Sequence, residues 1–332
     1  MGIDYPVAII IIAVITLLYT ITGGVKGVIW VDVVQMSVYI GGAIISLWFL
    51  VDVFIPGGFG KIFSSEFAHK FNLLNLEFIQ NPETIFSEPY SMIGGLIGGT
   101  FLSMASHGTD QLIVQRLLVT KNLKAARKAV IASGVAVFLQ FTLFLFIGIA
   151  LYVYYGQIEI RSDELFPKFI IENLPVGVTG IIIAGLFAAA MSTLAGSISS
   201  LSSSVVFDLL PKFFSGIDEK RNLFSSRLMT IIWSFLLVGA AIFFMNTSQS
   251  VVELALSIAS FTYGGLLGTF LLGILNKKAD QKFAIISFIV GIVGMMIFIS
   301  LNLVAWTWYT FVGVIITLLT GYLLTFLKSN KV

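Results

Sequence analysis

The stretch Gly180-Ile-Ile-Ile-Ala-Gly-Leu-Phe-Ala-Ala-Ala-Met-Ser192-Thr193-Leu-Ala-Gly-Ser-Ile-Ser-Ser-Leu-Ser-Ser-Ser204 contains no charged side chain. An α-helix rises about 1.5 Å per residue and a bilayer's hydrocarbon core is about 30 Å thick, so roughly 20 mostly apolar residues make one crossing. The stretch exceeds that length, and its residues do not alternate polar with apolar as barrel strands do. It reads as a membrane-spanning helix. The surrounding chain of 332 residues has the same character: 58% hydrophobic and 11% charged, where soluble proteins carry about a quarter charged. That excludes a water-soluble globular domain. No cysteine, two histidines and a net charge of +2 also exclude a disulfide scaffold, a thiolate zinc module and a basic nucleic-acid binder. The lipid bilayer is the expected surrounding, and no nucleic acid is expected as a partner.

Nine segments are long and apolar enough to span: Tyr5 to Thr22, Val28 to Val53, Tyr90 to Val114, Ala129 to Tyr155, Val176 to Leu210, Ser226 to Met245, Val251 to Leu275, Phe283 to Leu303, and Trp306 to Leu327. The expected fold is an all-α integral membrane protein with about nine transmembrane helices. Orientation follows from Lys and Arg, which concentrate in short cytoplasmic loops. All but four of the 19 basic residues fall in one alternating set of connections, and the exceptions are Lys61, Lys70, Arg161 and Lys168. The basic set is therefore cytoplasmic, which makes a multi-pass protein with its C-terminus inside and its N-terminus outside. Met1 stands directly before a span with no charged signal region ahead of it, so further helices upstream are expected.

The outside stretch Phe54 to Pro89 has room for a short amphipathic helix. Gly156 to Pro175, with Asp163, Glu164, Phe166 and Phe169, suits a helix lying at the membrane surface. No internal repeat or separate soluble segment stands out, so residues 1–332 read as a single membrane transport domain.

Several clusters could carry chemistry. Hard cations prefer oxygen ligands, which hydroxyls and freed carbonyls supply at membrane depth. Ser192 and Thr193 lie roughly 24 Å down a helix entering at Val176, and the Ala189 carbonyl one turn earlier would face them if the helix is slightly distorted. The competing reading is close packing, because Gly185, Ala189, Ser192 and Gly196 form a small-residue stripe. Asp32, an ionisable group inside a span, is either a cation ligand or gate, or half of an ion pair. The third span carries Ser103, Ser106, His107, Asp110, Gln111 and Arg116 in its inner half, where they could line a permeation path. Interhelical hydrogen bonds with an Asp110 to Arg116 bridge, or a His107 to Asp110 proton relay, are the alternatives. The pair Gly264-Gly265 in the seventh span would permit a kink. No zinc-protease, serine-hydrolase, Walker or kinase signature is present, so no enzyme is expected.

Three stretches carry a wider likeness: Tyr19-Thr-Ile-Thr-Gly-Gly-Val-Lys-Gly-Val-Ile-Trp-Val-Asp32-Val-Val-Gln35, then Gly108-Thr-Asp-Gln111 with Val114-Gln115-Arg116, and Ala188-Ala-Ala-Met-Ser192-Thr193-Leu. In order and spacing they resemble the sodium:solute symporter family. The resemblance implies a LeuT-like five-plus-five inverted-repeat bundle in which the first span is core helix 4 and the fifth is core helix 8. It implies sodium as co-substrate, with no organic cofactor, held by the Ala189 carbonyl, Ser192 and Thr193. Asp32 matches an acidic coupling residue. Ala195 and Gly196 stand where members with a second site carry hydroxyls, which implies one sodium. Ser103 and Ser106, with His107 and Gln111, would line the solute path, and Asp110 and Arg116 would serve coupling or gating. Ser103 and Ser106 replace the amide and aromatic gate of sugar-binding members, and Val137 replaces a lysine, so a galactose-like pocket is not expected. The expected function is sodium-coupled symport of a small polar solute (a sugar, amino acid, carboxylate or similar) across the plasma membrane. A proton-coupled transporter of the same fold and a non-transporting sensor domain are the alternatives. Core helices 1 to 3, which supply the other sodium carbonyls, would lie upstream, so the chain reads as a fragment that cannot transport alone.

Overall fold

A computed structural model of the protein describes residues 4–72, 74–157, 159–213, 219–245 and 250–329. In chain order the α-helices are α1 (Tyr5–Trp48), α2 (Gly58–Ile62), α3 (Thr84–Ser87), α4 (Gly99–Gly108), α5 (Gln111–Leu118), α6 (Leu123–Tyr155), α7 (Ser162–Asn173), α8 (Val176–Ser203), α9 (Leu210–Phe213), α10 (Glu219–Phe244), α11 (Val251–Leu275), α12 (Gln281–Ser300) and α13 (Tyr309–Ser329). Wider π-type turns run over Phe49–Phe54, Gly94–Gly98 and Ser204–Leu209. Among the described residues, 7 helical segments are long and apolar enough to cross a membrane, and Tyr5–Leu18 forms a shorter apolar one. The count differs from the expected nine at two places. Tyr5–Leu18 is the described part of the first expected span, and the third span is not continuous. The chain divides into two compact units, Met1–Phe67 with Ile131–Ser248, and Ala68–Val130 with Gln249–Val332.

In the first unit, helical backbone within α1 runs through the expected connection between the first two spans. No proline lies between Pro6 and Pro56, and glycine costs a helix only about 1 kcal/mol relative to alanine, so the glycines near residue 24 do not stop it. The two halves nevertheless flank the same part of α8. Ile12 shares an apolar cavity with Ile170, Ile183 and Leu186, while Val38 lies against Gly185, where an added Cβ would sit 2.6 Å from Val38 Cγ1. Residues 12 and 38 of a straight helix would be about 39 Å apart, so α1 turns back on itself between them. Gly42 likewise meets Ile182, which sets the second half of α1 antiparallel to α8. Buried Ala43, Ser46, Leu50, Ile182, Ala195 and Ile198 belong to this core. The expected surface helix is α7. Its Phe169 and Ile170 are buried, and Thr179 Oγ1 of α8 donates to the Ile170 carbonyl at 2.9 Å.

In the second unit, α11, α12 and α13 pack together. The Gly264-Gly265 pair does not break α11, which is helical from Val251 to Leu275. These glycines admit neighbours instead: a Cβ on Gly264 would lie 2.8 Å from Gly313 Cα of α13. α4 joins the group through Ala105, buried with Leu267 and Val314 beside Phe101 and Tyr263. Asp280 caps α12 by accepting the Phe283 N–H at 3.0 Å, and Lys328 Nζ lies 3.0 Å from its other oxygen.

Candidate functional site

The expected site residues fall into the two units. Ala189, Ser192, Thr193 and Asp32 belong to the first, and Ser103, Ser106, His107, Asp110, Gln111 and Arg116 to the second.

α8 begins at Val176 after Pro175, where a proline's fixed φ and missing N–H are tolerated. The backbone is α-helical through Ser203, and wider π-type turns follow at Ser204–Leu209. The Ala189 carbonyl accepts the Thr193 hydroxyl at 3.1 Å, and Ser197 Oγ donates to the Thr193 carbonyl at 2.9 Å. Ala189 O and Thr193 Oγ1 thus form an oxygen pair on one exposed line of the helix, and a serine or threonine oxygen that donates one hydrogen keeps lone pairs for a cation. Ser192, one position before Thr193, is 8% exposed and buried like Gly185 and Ala195. Gly185 and Ser192 thus lie on the packed side of α8 and Thr193 on its exposed side.

The contacts Gly42 to Ile182 and Val38 to Gly185 fix the antiparallel register of α1 on α8. Continued by one and two turns, that register brings Gln35 and Asp32 level with Ala189 and Ser192. Asp32 is half-buried. Gln35 is 9% exposed, and among the described residues its Oε1 has no hydrogen-bond partner. Gln35 was not singled out from the sequence as a site residue. Its signal there was a lone amide three residues after an intramembrane carboxylate. No group of three His, Cys, Asp or Glu side chains comes together among the described residues, so a cation on this face would be held by hydroxyl, amide and carbonyl oxygens.

In the second unit the third span breaks. α4 ends at Gly108, and Asp110 adopts an extended conformation to cap α5, accepting the Leu112 N–H at 2.8 Å. The cap follows from aspartate's preference for the position before a helix, where its carboxylate takes an orphan N–H. Asp110 Oδ2 accepts the hydroxyl of Tyr263 from α11. Both carboxylate oxygens thus have donors, from the α5 backbone and from α11. Arg116 lies exposed in the last turn of α5. His107 Nδ1 is 2.9 Å from Ser106 Oγ and 3.1 Å from the Ser103 carbonyl, so the ring is tied to its own helix. Ser103 and Gln111 are exposed, and Ser106 and His107 are half-buried. The polar side chains thus form a surface of the unit on α4 and α5, while Asp110 turns inward to α11.

Known proteins share this architecture. A sodium-coupled sialic acid symporter, solved in a substrate-bound outward-open state, superimposes with a TM-score of 0.82 and 25% identity over 98% of this chain and 68% of its own. The sodium/sialic acid symporter SiaT of Proteus mirabilis is 31% identical over 308 residues, 89% of this chain and 60% of that protein. The human sodium-coupled monocarboxylate transporter 1 is 27% identical over 300 residues, 87% of this chain and 48% of that protein. The chain thus spans from about half to 60% of the lengths of these two curated relatives. These proteins are sodium-coupled transporters, not enzymes. The profile of the sodium:solute symporter family matches residues 1–291, and together with the fold and the three motifs it makes this multi-pass membrane chain a member of the sodium:solute symporter family.

Proposed function

We propose that the chain serves sodium-coupled symport of a small polar organic solute across the plasma membrane, with its C-terminus in the cytoplasm and residues 1–332 acting as one transport domain. Relatives named for sialic acid and for monocarboxylates support an organic solute. The observation that carries the sodium assignment is the oxygen pair on α8, Ala189 O and Thr193 Oγ1 at 3.1 Å; the Ser192 hydroxyl, next in sequence, would turn from the packed side of the helix to join it. Sodium would replace the Thr193 hydrogen bond by accepting both oxygens as ligands. Asp32, level with Ser192 on the antiparallel α1, would supply negative charge without direct ligation. The remaining oxygens would come from outside α8, from the upstream helices that the family likeness implies. Ser103, Ser106, His107 and Gln111 would line the solute path, with Asp110 and Arg116 in coupling. Coupling needs sodium and solute to favour the same state of the bundle, because each shifts the equilibrium only by its difference in affinity for the two states.

The test is Ser192→Ala in the full-length protein, with uptake measured against sodium concentration. Losing one oxygen contact to a charged partner is worth about 1.5–3 kcal/mol, so the sodium concentration for half-maximal uptake should rise about tenfold or more. An unchanged value removes Ser192 from the site, and uptake that persists when choline replaces sodium removes sodium coupling altogether.

A further inference from the structure

The interruption of the third span is held from a distance. α4 closes with the Thr109 N–H and Oγ1 both donating to the Ala105 carbonyl, at 2.9 and 2.7 Å. α5 opens with the Ile113 and Val114 amides on the Asp110 carbonyl, at 3.2 and 2.9 Å. Between them Asp110 is extended, at φ −73 and ψ 118, so helical hydrogen bonds alone do not fix the direction of α5 relative to α4. Capping α5 needs only one carboxylate oxygen, the one that takes the Leu112 N–H. The second oxygen takes the Tyr263 hydroxyl, from 153 residues along the chain.

Tyr263 delivers that hydroxyl from a fixed platform. Its ring packs on the cluster of Ala105, Leu267 and Val314. The next residue, Gly264, leaves no room for a Cβ against the Gly313 Cα and the Tyr309 and Thr310 carbonyls of α13. That close fit against α13 limits how far α11 can turn to follow Asp110. The break in the third span follows α11, and Ser103 on one side of it and Gln111 on the other keep a fixed mutual orientation on the exposed face.

We propose that Tyr263 is a positioning residue for solute binding: by fastening Asp110 it sets the angle at which the two halves of the third span present Ser103, His107 and Gln111. The proposal rests on the symport reading above and adds to it a residue on α11 that touches neither sodium nor solute.

The experiment compares the full-length protein with its Tyr263→Phe and Asp110→Asn/Tyr263→Phe variants in two measurements. The first is sodium-driven uptake of sialic acid and of lactate, read as solute KM and as sodium half-saturation. The second is hydrogen exchange of the Leu112, Ile113 and Val114 amides, which needs no solute. Tyr263→Phe removes a hydrogen bond to a charged acceptor, so exchange at these amides should quicken about tenfold. Solute KM should rise by about the same factor, and sodium half-saturation, set on α8, should hold. The double variant should recover neither, because asparagine keeps the cap on Leu112 but phenylalanine still gives it no tie to α11; recovery of both would show that the unpaired carboxylate and not the lost tie was at fault, and overturns the proposal. Unchanged exchange overturns the proposal. So does a parallel rise of solute KM and sodium half-saturation, or a loss confined to protein abundance, because any of these makes Tyr263 a packing residue only. Absence of sodium-driven uptake of either probe by the unaltered protein refutes the symport reading itself. Quickened exchange in that case makes the tyrosine a structural fastener and overturns the positioning role.

Discussion

Gly98 and Gly99 are adjacent glycines with opposite surroundings, which makes them a controlled test of how the third span is seated. A Cβ built on Gly98 would lie 2.1 Å from the Thr307 carbonyl oxygen and 2.9 Å from its carbon, whereas nothing lies within 4 Å of one on Gly99. A tolerable carbon to oxygen contact is about 3.3 Å, so Gly98→Ala forces the Thr307 backbone back by more than about 1 Å. That turn has little freedom to retreat. Ala305 N donates to the Phe86 carbonyl at 2.6 Å, and Trp308 Nε1 donates to the Ile85 carbonyl at 2.9 Å. Overpacking costs about 1–3 kcal/mol, and a strained or lost hydrogen bond adds about 1 kcal/mol. The gain in helix propensity from glycine to alanine, about 1 kcal/mol, offsets part of this. Gly98→Ala should therefore destabilise by about 2 kcal/mol, and Gly99→Ala should be neutral or stabilise by up to about 1 kcal/mol. For a unit of this size each kcal/mol moves Tm by about 2–4 °C, so the two variants should melt at least 5 °C or so apart. Tryptophan fluorescence during heating in detergent reads the difference. Gly98→Ala melting at or above Gly99→Ala would show that the third span does not press on the Thr307 turn as described.

Further expectations concern the periphery. The Asp280 carboxyl is held below its ordinary value of 3.8, first by the Phe283 N–H and then by Lys328. Its contribution is present above that value and is lost as pH falls through the lower folded value. Stability should therefore be flat near neutrality and drop below about pH 4, and Asp280→Asn should diminish that drop in melts at pH 3 and 6. Thr179→Val removes the bonds from α8 to the Ile170 and Leu174 carbonyls, at a cost of about 1 kcal/mol. Limited proteolysis should then cut more readily around α7, and an unchanged digestion pattern would show that packing of Phe169 and Ile170 alone holds this helix.

Local features of the chain were legible because they depend on neighbours in sequence. Hydropathy over a turn or more located the membrane segments, since a crossing demands a continuous apolar run whatever it packs against. The surface helix at Ser162–Asn173 followed from its amphipathic pattern. The small-residue stripe through Gly185 and Ser192 was equally readable, because helical spacing alone puts those residues on one face. Another feature was not legible, for a physical reason. Gly264-Gly265 reads in sequence only as a pair that would permit a kink, and the close approach of Gly313 that it also admits could not be read there.

The sequence by itself determined that this is a helical membrane protein with the motifs of the sodium:solute symporter family, because span length, charge sorting and motif spacing are properties of the chain alone. The tertiary structure alone decided which side chains meet. Gln35 stands level with Ala189 because of how α1 packs on α8, and Asp110 meets Tyr263. A hydrogen bond between residues 153 positions apart leaves no trace in local periodicity. It exists because the packing of α11 against α13 brings a hydroxyl to a carboxylate that the break in the third span had already freed.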